Sequence, residues 1–126
     1  MSGVEYPEMR AEVIEAVRAL SDLEHQRRVW VRRELPHPDY HDDFALNLNV
    51  LYDDTSVLED PAAAIGDVLR DDREARALAP LRDSLEDLLA KHPHLTDEQY
   101  LDTPEWPTVL ATAAAALAVL TRPDEA

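Results

Sequence analysis

The sequence has 126 residues, 45% of them hydrophobic, and a formal net charge of −15 that arises from 27 acidic and 12 basic residues. This length suits one domain, the charge repels nucleic acid and anionic membranes, and no apolar run approaches the roughly 20 residues of a membrane-spanning helix. The absence of cysteines excludes a disulfide framework, and because the N-terminus has no signal-peptide pattern, we expect a cytoplasmic protein.

Apolar residues recur at helical spacing and only two glycines occur, so we predict an all-α fold. Residues 1–126 should form one compact bundle of about five to six helices, with loose tails at about 1–4 and 123–126. The first helix is expected over Pro7–Leu20. Ser21 and Glu24 have the spacing of a capping box, which predicts a second helix that carries Trp30 in the core.

Four arginines, Arg27, Arg28, Arg32 and Arg33, lie on neighbouring turns of this second helix. The strongly negative net charge argues against nucleic acid as their ligand. We therefore expect them to pair within the molecule with the acidic middle of the chain. His25, among charged helical neighbours, is expected to be exposed.

A loop with two prolines is predicted at residues 36–42. The segment 44–52 that follows fits two structures. Its apolar residues alternate as in a half-buried strand, but Phe44, Leu48 and Leu51 also share one helical face. Because the sequence offers no second strand as a partner, we favour a helix. An α+β fold with a short strand at 44–52 is the alternative.

The second half of the chain has four further helix signals. Asp60 and Pro61 are typical of a helix start, with Ala64, Ile65, Val68 and Leu69 on its buried side. Asp71 and Glu74 have capping-box spacing and precede a leucine-striped helix with a kink or break at Pro80. After a turn at 92–95, Thr96 should cap a short helix through Leu101, and Thr103 with Pro104 should open a last helix with Trp106 in the core.

The sequence contains no motif that indicates catalysis, so we expect no catalytic residues and a protein that is not an enzyme. Gly3 and Gly66 are too few for a phosphate-binding loop, and no serine lies in a strand-to-helix elbow. The loop residues His37, Asp39 and His41 have the donor atoms of a zinc or iron site. They lack the rigid scaffold of such sites, so we expect no metal and no cofactor, and keep this set as the alternative.

The most distinctive stretch is 35–69, which contains eight acidic residues and no lysine or arginine. A concentrated negative field favours a basic partner, because charge complementarity accelerates association and adds specificity. The candidate partner-binding residues are Asp39, Tyr40, Asp42, Asp43, Tyr52, Asp53 and Asp54. The two tyrosines are the expected aromatic anchors.

Part of this stretch has a recognisable pattern. It consists of Leu51-Tyr52-Asp53-Asp54, then Pro61, Ala64, Ile65, Asp67 and Leu69, then the leucine-striped helix and the late helix with Trp106. This pattern, over about 44–120, resembles small helical immunity proteins of contact-dependent growth inhibition systems. The first 40 residues look like an elaboration particular to an uncharacterised actinobacterial-type group. The resemblance implies a non-catalytic cytoplasmic protein that binds a toxin domain and blocks it.

Two other functions remain as alternatives at this point. The His37, Asp39 and His41 set would make the protein a metal-dependent enzyme or a metal sensor. An oligomeric structural or regulatory protein, for example a homodimer, would place its acidic face against the arginine-rich helix of a neighbour. The expected partner is in each case neither nucleic acid nor membrane.

Overall fold

The structure is a computed structural model that describes residues 4–123, and helices are the only regular elements of that range. The tails predicted to be loose lie outside these residues, apart from Val4 and Pro123. Six α-helices occur, and we number them in chain order: α1 Pro7–Leu20, α2 Leu23–His25, α3 Phe44–Asn49, α4 Asp72–Lys91, α5 Asp97–Leu101 and α6 Trp106–Leu120. The all-α prediction is confirmed. The alternative strand at 44–52 is wrong, because this segment is helical.

Three long helices, α1, α4 and α6, form the centre of the bundle, and α6 packs against both of the others. Helix α1 spans the predicted range, begins at Pro7, which is tolerated in the first turn, and buries Val13, Val17 and Leu20. The leucine stripe of α4 is also fully buried. Ala113 and Ala116 of α6 are fully buried, and such small side chains let the backbones of neighbouring helices approach closely.

An aromatic cluster joins the short helices to α6. Phe44 lies at the centre of it, with ring centroids 5.0 Å from Tyr100, 5.3 Å from Trp106 and 6.1 Å from Trp30. Two of these pairs are edge-to-face, which aromatic rings prefer over stacking face to face. Both tryptophans are buried, as the sequence predicted.

Helices α2 and α3 share a local plan. Each is capped by an aspartate side chain, Asp22 or Asp43, that accepts a backbone hydrogen bond three residues later. Each continues into a π-helical turn, Gln26–Val31 or Val50–Asp54. Shortly after each turn comes a residue in the left-handed region, Arg33 with φ 59° and Ser56 with φ 55°. π-Helical turns are frequent at functional sites, so the regions around these two turns are candidate locations for a functional site.

One predicted helix start and the extent of one predicted helix are wrong. Ser21 is not the cap of α2, because the Asp22 side chain accepts the hydrogen bond from His25 N. Asp60 does cap Pro61–Ala64, but this segment is a single 3-10 turn and not a long helix. The chain leaves it at Ile65 in an extended conformation and turns at Gly66, with φ 95°. Ala64, Val68 and Leu69 are buried as predicted, whereas Ile65 is 37% exposed.

The last three helices follow the predictions more closely. Helix α4 runs continuously through Pro80, so of the predicted kink or break the break is absent. Thr96 and Gln99 form a complete capping box that starts α5, which ends at Leu101 as expected. Helix α6 starts at Trp106, slightly later than predicted. None of the helices within residues 4–123 is long and apolar enough to cross a membrane.

Candidate functional site

A groove of about 530 Å³ lies between α1 and the segment 40–50, and we call it the α1 groove. Its apolar lining comes from Ala16 and Ala19 of α1 and from Leu46 and Val50 on the opposite wall. Leu46 is 37% exposed, so the apolar lining is accessible to solvent. An apolar surface that is open to solvent in this way is typical of a binding groove.

Acidic side chains form the rim of the α1 groove. Glu12, Glu15 and Asp22 border it, together with one arginine, Arg18, whose Nε lies 3.0 Å from Glu15 Oε2. Glu12 is exposed and forms no ion pair with any described residue. The rim therefore carries a net negative charge beside an apolar floor.

Asp42 holds one end of the groove together. Its carboxylate is 7% exposed and accepts three hydrogen bonds, from Trp30 Nε1 at 2.7 Å, His25 Nε2 at 2.6 Å and Asn47 Nδ2 at 2.8 Å. The predicted exposure of His25 is therefore wrong. Asp42 was predicted to contact a partner, but a nearly buried carboxylate with three donors has its bonding capacity used inside the molecule. It fixes the loop 36–43 against α2 and α3.

The imidazole of His25, bound to a carboxylate at the edge of a groove, has the arrangement of a general base. Catalysis of the acyl-transfer kind also needs a nucleophile beside that base. The residues that line the α1 groove include no serine, threonine, cysteine or lysine. A structural role explains the hydrogen bond between His25 and Asp42, because His25, Trp30 and Asn47 together hold the Asp42 carboxylate in place.

Of the other predicted residues at 39–43, Tyr40 lines the α1 groove, whereas Asp39 and Asp43 are not among its lining residues. Tyr40 is half-buried in its wall, and burial raises the pKa of Tyr40, with a further contribution from the Asp42 carboxylate. Asp43 caps α3 through Leu46 N at 2.7 Å and lies 3.0 Å from His41 Nε2. Asp39 is exposed. Tyr40 and Asp39 are thus the members of this set with surface for a partner.

The remaining predicted residues, Tyr52, Asp53 and Asp54, lie on the second π-helical turn and do not line the α1 groove. Among the residues that the structure describes, the Tyr52 hydroxyl is buried without a hydrogen-bond partner. Burial, reinforced by the Glu86 carboxylate of α4, raises the pKa of Tyr52 to about 12. Asp53 and Asp54 are exposed and have no ion pair in the described structure. The structure therefore divides the predicted site into two places.

The alternative metal site is not assembled. The ring of His37 packs edge-on against Tyr40 at 5.9 Å, and His41 pairs with Asp43. Within residues 4–123 no group of three or more histidine, aspartate or glutamate side chains is placed to hold a metal ion.

The arginines of the second helix do not pair with the acidic middle of the chain, contrary to the prediction. Arg28 lies 3.5 Å from Glu24, and Arg32 lies 2.9 Å from Glu34. Both pairs are local and exposed. The acids of the segment 35–69 are therefore left with few intramolecular cations near them.

A second groove, of about 340 Å³, was not foreseen from the sequence. We call it the Tyr6 groove, and it lies between the start of α1 and residues 55–68. Its lining includes three acids, Glu59, Asp60 and Asp67. The sequence signal was present in the acid-rich stretch, but nothing local indicated that α1 would form the other wall.

Residues 4–126 match the model of a family described as "Domain of unknown function (DUF7945)". The chain belongs to this family. No curated protein and no solved structure matches it. The family description assigns no activity, so the two grooves and their charges are the basis on which a function can be argued.

A buried ionic cluster was also missed. Glu74 of α4 is 0% exposed, and both its carboxylate oxygens accept hydrogen bonds from Arg10 of α1, at 2.7 and 2.8 Å. Arg70 contributes two more hydrogen bonds, from its backbone N and from Nε. Burial alone would raise the pKa of Glu74, but the hydrogen bonds from Arg10 and Arg70 hold it below its ordinary value. This cluster joins α1 to α4.

Proposed function

We propose that this DUF7945 protein is a non-catalytic, acidic binding protein of the cytoplasm that neutralises a basic protein domain by direct binding, in the manner of an immunity protein. The observation that carries the proposal is the α1 groove. It combines an apolar floor that includes Leu46 with a rim that is acidic and only partly neutralised.

The charge of the molecule supports a basic partner. With a net charge of −15, the protein attracts cationic surfaces over distances longer than direct contacts. Glu12 and Asp39 are exposed and have no ion pair within the described residues, so a partner's lysine or arginine would not have to displace an existing one. Such complementarity raises association rates and excludes partners of the wrong charge.

The apolar residues of the groove supply the part of the interaction that salt does not screen. Leu46 and the ring of Tyr40 offer contact area at the centre of the acidic rim. Interface energy concentrates in such buried aromatic and apolar anchors, whereas rim charges act mainly on rate and selectivity. A stable complex buries at least about 1,000 Å², so the partner would cover surface beyond the groove itself.

A toxin domain that attacks nucleic acid fits these requirements. Such a domain needs a basic surface to bind phosphates, and an acidic protein that covers this surface would block it. The resemblance of residues 44–120 to immunity proteins supports the same function. Neutralisation by covering requires no catalytic group, in agreement with the lack of a nucleophile among the residues that line the α1 groove.

The test is affinity capture from the native cytoplasm at low and at high salt, with tagged wild-type protein and two charge-reversal variants. Glu12→Lys changes the rim of the α1 groove. Glu98→Lys makes the same change of charge on α5, where Glu98 is exposed and forms no ion pair in the described structure. Comparison of the two variants separates the effect of a charge change at the α1 groove from the effect of a change in net charge.

We expect one basic protein at equal stoichiometry, retained at low salt by wild type and Glu98→Lys and reduced about three- to tenfold by Glu12→Lys, as for removal of an interfacial charge. The purified partner should lose its activity when one equivalent of this protein is added. Equal capture by both variants would contradict the assigned surface. One bound metal ion per chain in an eluate without a protein partner would contradict the function and favour the metal alternative.

A further inference from the structure

The Tyr6 groove has the chemistry to bind a long cationic side chain. Tyr6 is 49% exposed at its edge, and Met9, Ala64 and Val68 supply apolar lining. Glu59 and Asp67 are exposed at its rim, and its lining within residues 4–123 includes no lysine or arginine. An apolar wall accommodates the methylene stem of a lysine or arginine, and an aromatic face with carboxylates accommodates the charged head.

Backbone hydrogen bonds hold the walls of this groove in place. Tyr6 N donates to Asp67 O at 2.9 Å, and Glu5 N donates to Gly66 O at 2.8 Å. These bonds keep Tyr6 beside Asp67. Asp60 is occupied as the cap of the 3-10 turn, through Ala63 N. Tyr6, Glu59 and Asp67 therefore remain as the groups that a ligand can contact.

The chemistry of the groove favours an organic cation over a metal ion. Three carboxylates line it, but they are not placed to share one ion, since no set of three potential ligands within residues 4–123 is close enough to hold a metal. A guanidinium or ammonium group on a flexible stem can reach separate carboxylates. An apolar lining such as that of Met9 and Val68 would also be of no use to a hydrated metal ion.

The two grooves follow one another along the same seam. On one side of the seam, Met9 borders the Tyr6 groove and Ala16 borders the α1 groove. On the other side, Ser56 borders the first and Val50 borders the second. Met9 and Ala16 are seven residues apart on α1, which corresponds to about 10 Å along a helix. Three residues in polyproline II conformation span about 9 Å, close to that distance, and bring the side chain back to the same face.

We propose that the Tyr6 groove is a second subsite for the same basic polypeptide that occupies the α1 groove, and that it takes a lysine or arginine side chain between Tyr6, Glu59 and Asp67. The proposal rests on the proposed function and adds a requirement to it. The partner segment carries two basic residues three positions apart in polyproline II conformation, which places both side chains on one face. One of them enters each groove.

The experiment uses the full chain, labelled with ¹⁵N, and two synthetic peptides. The probe is an acetylated, amidated peptide of glycine and alanine with two arginines three positions apart. Its control has citrulline, which is uncharged, in place of both arginines. Amide shifts of Ser56 and Asp67 report on the Tyr6 groove, and those of Ala19 and Leu46 report on the α1 groove.

Two variants complete the design. Glu59→Gln with Asp67→Asn removes two charges from the Tyr6 groove, and both side chains are exposed without an ion pair in the described residues. Glu98→Gln with Asp102→Asn removes the same charge from the region of α5, where both side chains are also exposed. Comparison of these two double variants separates the effect of charge in the Tyr6 groove from the effect of the net charge of the protein.

We expect the arginine peptide to shift both sets of amides at low salt and the citrulline peptide to shift neither. The Tyr6-groove variant should lose the shifts of Ser56 and Asp67 and bind about tenfold more weakly, while Ala19 and Leu46 still respond. The α5 variant should behave as wild type. Shifts at the α1 groove alone would overturn the second subsite and leave the proposed function standing.

Shifts at neither groove would count against both the subsite and the proposed function. Concentration-dependent shifts of Ser56 and Asp67 without any peptide would assign the groove to a second copy of this chain. That result would overturn the proposal in favour of a homodimer.

Discussion

Substitution of Glu74 with glutamine removes the charge at the centre of the buried ionic cluster and keeps the shape of the side chain. The carboxylate is 0% exposed and lies 2.7 Å from Arg10 Nη1, 3.0 Å from Arg70 Nε and 3.7 Å from Arg122 Nη1. Arg10 also donates to Val68 O and Leu120 O. The same cluster therefore ties α1 to the chain before α4 and to the end of α6.

The expected loss follows from the burial of these charges. Removal of one partner from a buried ion pair costs about 3–5 kcal/mol, because the remaining charge stays buried without compensation. Glutamine can still accept one hydrogen bond, and Asp71 lies next to Arg122, so we expect a loss near the lower limit, about 3 kcal/mol. Since stability is about 0.05–0.15 kcal/mol per residue, a domain of this size has on the order of 6–19 kcal/mol in total.

Urea unfolding monitored by tryptophan fluorescence measures this loss, because Trp30 and Trp106 are both buried and report on the core. With a slope of about 2 kcal/mol per molar urea, the midpoint should fall by about 1.5 M. Glu98→Gln, at an exposed site, should change stability by less than about 0.5 kcal/mol. A shift of less than about 0.5 M for Glu74→Gln would refute the reasoning.

Three further predictions concern residues already described. The folded-state pKa of Glu74 lies below its ordinary value of 4.5, so the contribution of the Glu74 charge to the free energy of unfolding is complete above that pH and is lost in more acidic solution. The stability difference between wild type and Glu74→Gln should therefore shrink as the pH falls below about 4. Asp42→Ala leaves the donors of Trp30 and His25 unpaired and should cost about 2–4 kcal/mol in urea unfolding; a loss below about 1 kcal/mol would show that Asp42 does not hold the loop. Tyr52→Phe removes a buried, unpaired hydroxyl and should leave stability unchanged or raise it by up to about 1 kcal/mol, and it should also remove a tyrosine titration at about pH 12 in ultraviolet absorbance.

Features determined by neighbouring residues could be predicted from the sequence. The apolar period of α1, the leucine stripe of α4 and the Thr96 capping box all act within one or two turns of chain. The start of α2 was misplaced by one residue, because Ser21 and Asp22 are both good caps and the sequence alone does not choose between them. The helix predicted after Asp60 was too long, because the chain changes direction at Gly66.

The site depends on contacts that local patterns do not contain. The acid-rich stretch directed attention to residues 39–43, of which Tyr40, His41 and Asp42 line the α1 groove. The buried position of Asp42, however, follows from donors 12 and 17 residues away, on Trp30 and His25. The Glu74 cluster joins residues 64 positions apart. Both π-helical turns also interrupt the ordinary helical period, and this shifts which side chains meet.

The most direct test of the central claim is the affinity of this protein for the basic partner recovered by capture, measured by calorimetry at low and high salt. For wild type and Glu98→Lys, we expect an equimolar complex whose affinity falls as salt rises. For Glu12→Lys we expect weaker binding at low salt and a smaller dependence on salt, because one cation contact at the α1 groove is lost. Affinities that are independent of salt and equal for the two variants would contradict the proposed function.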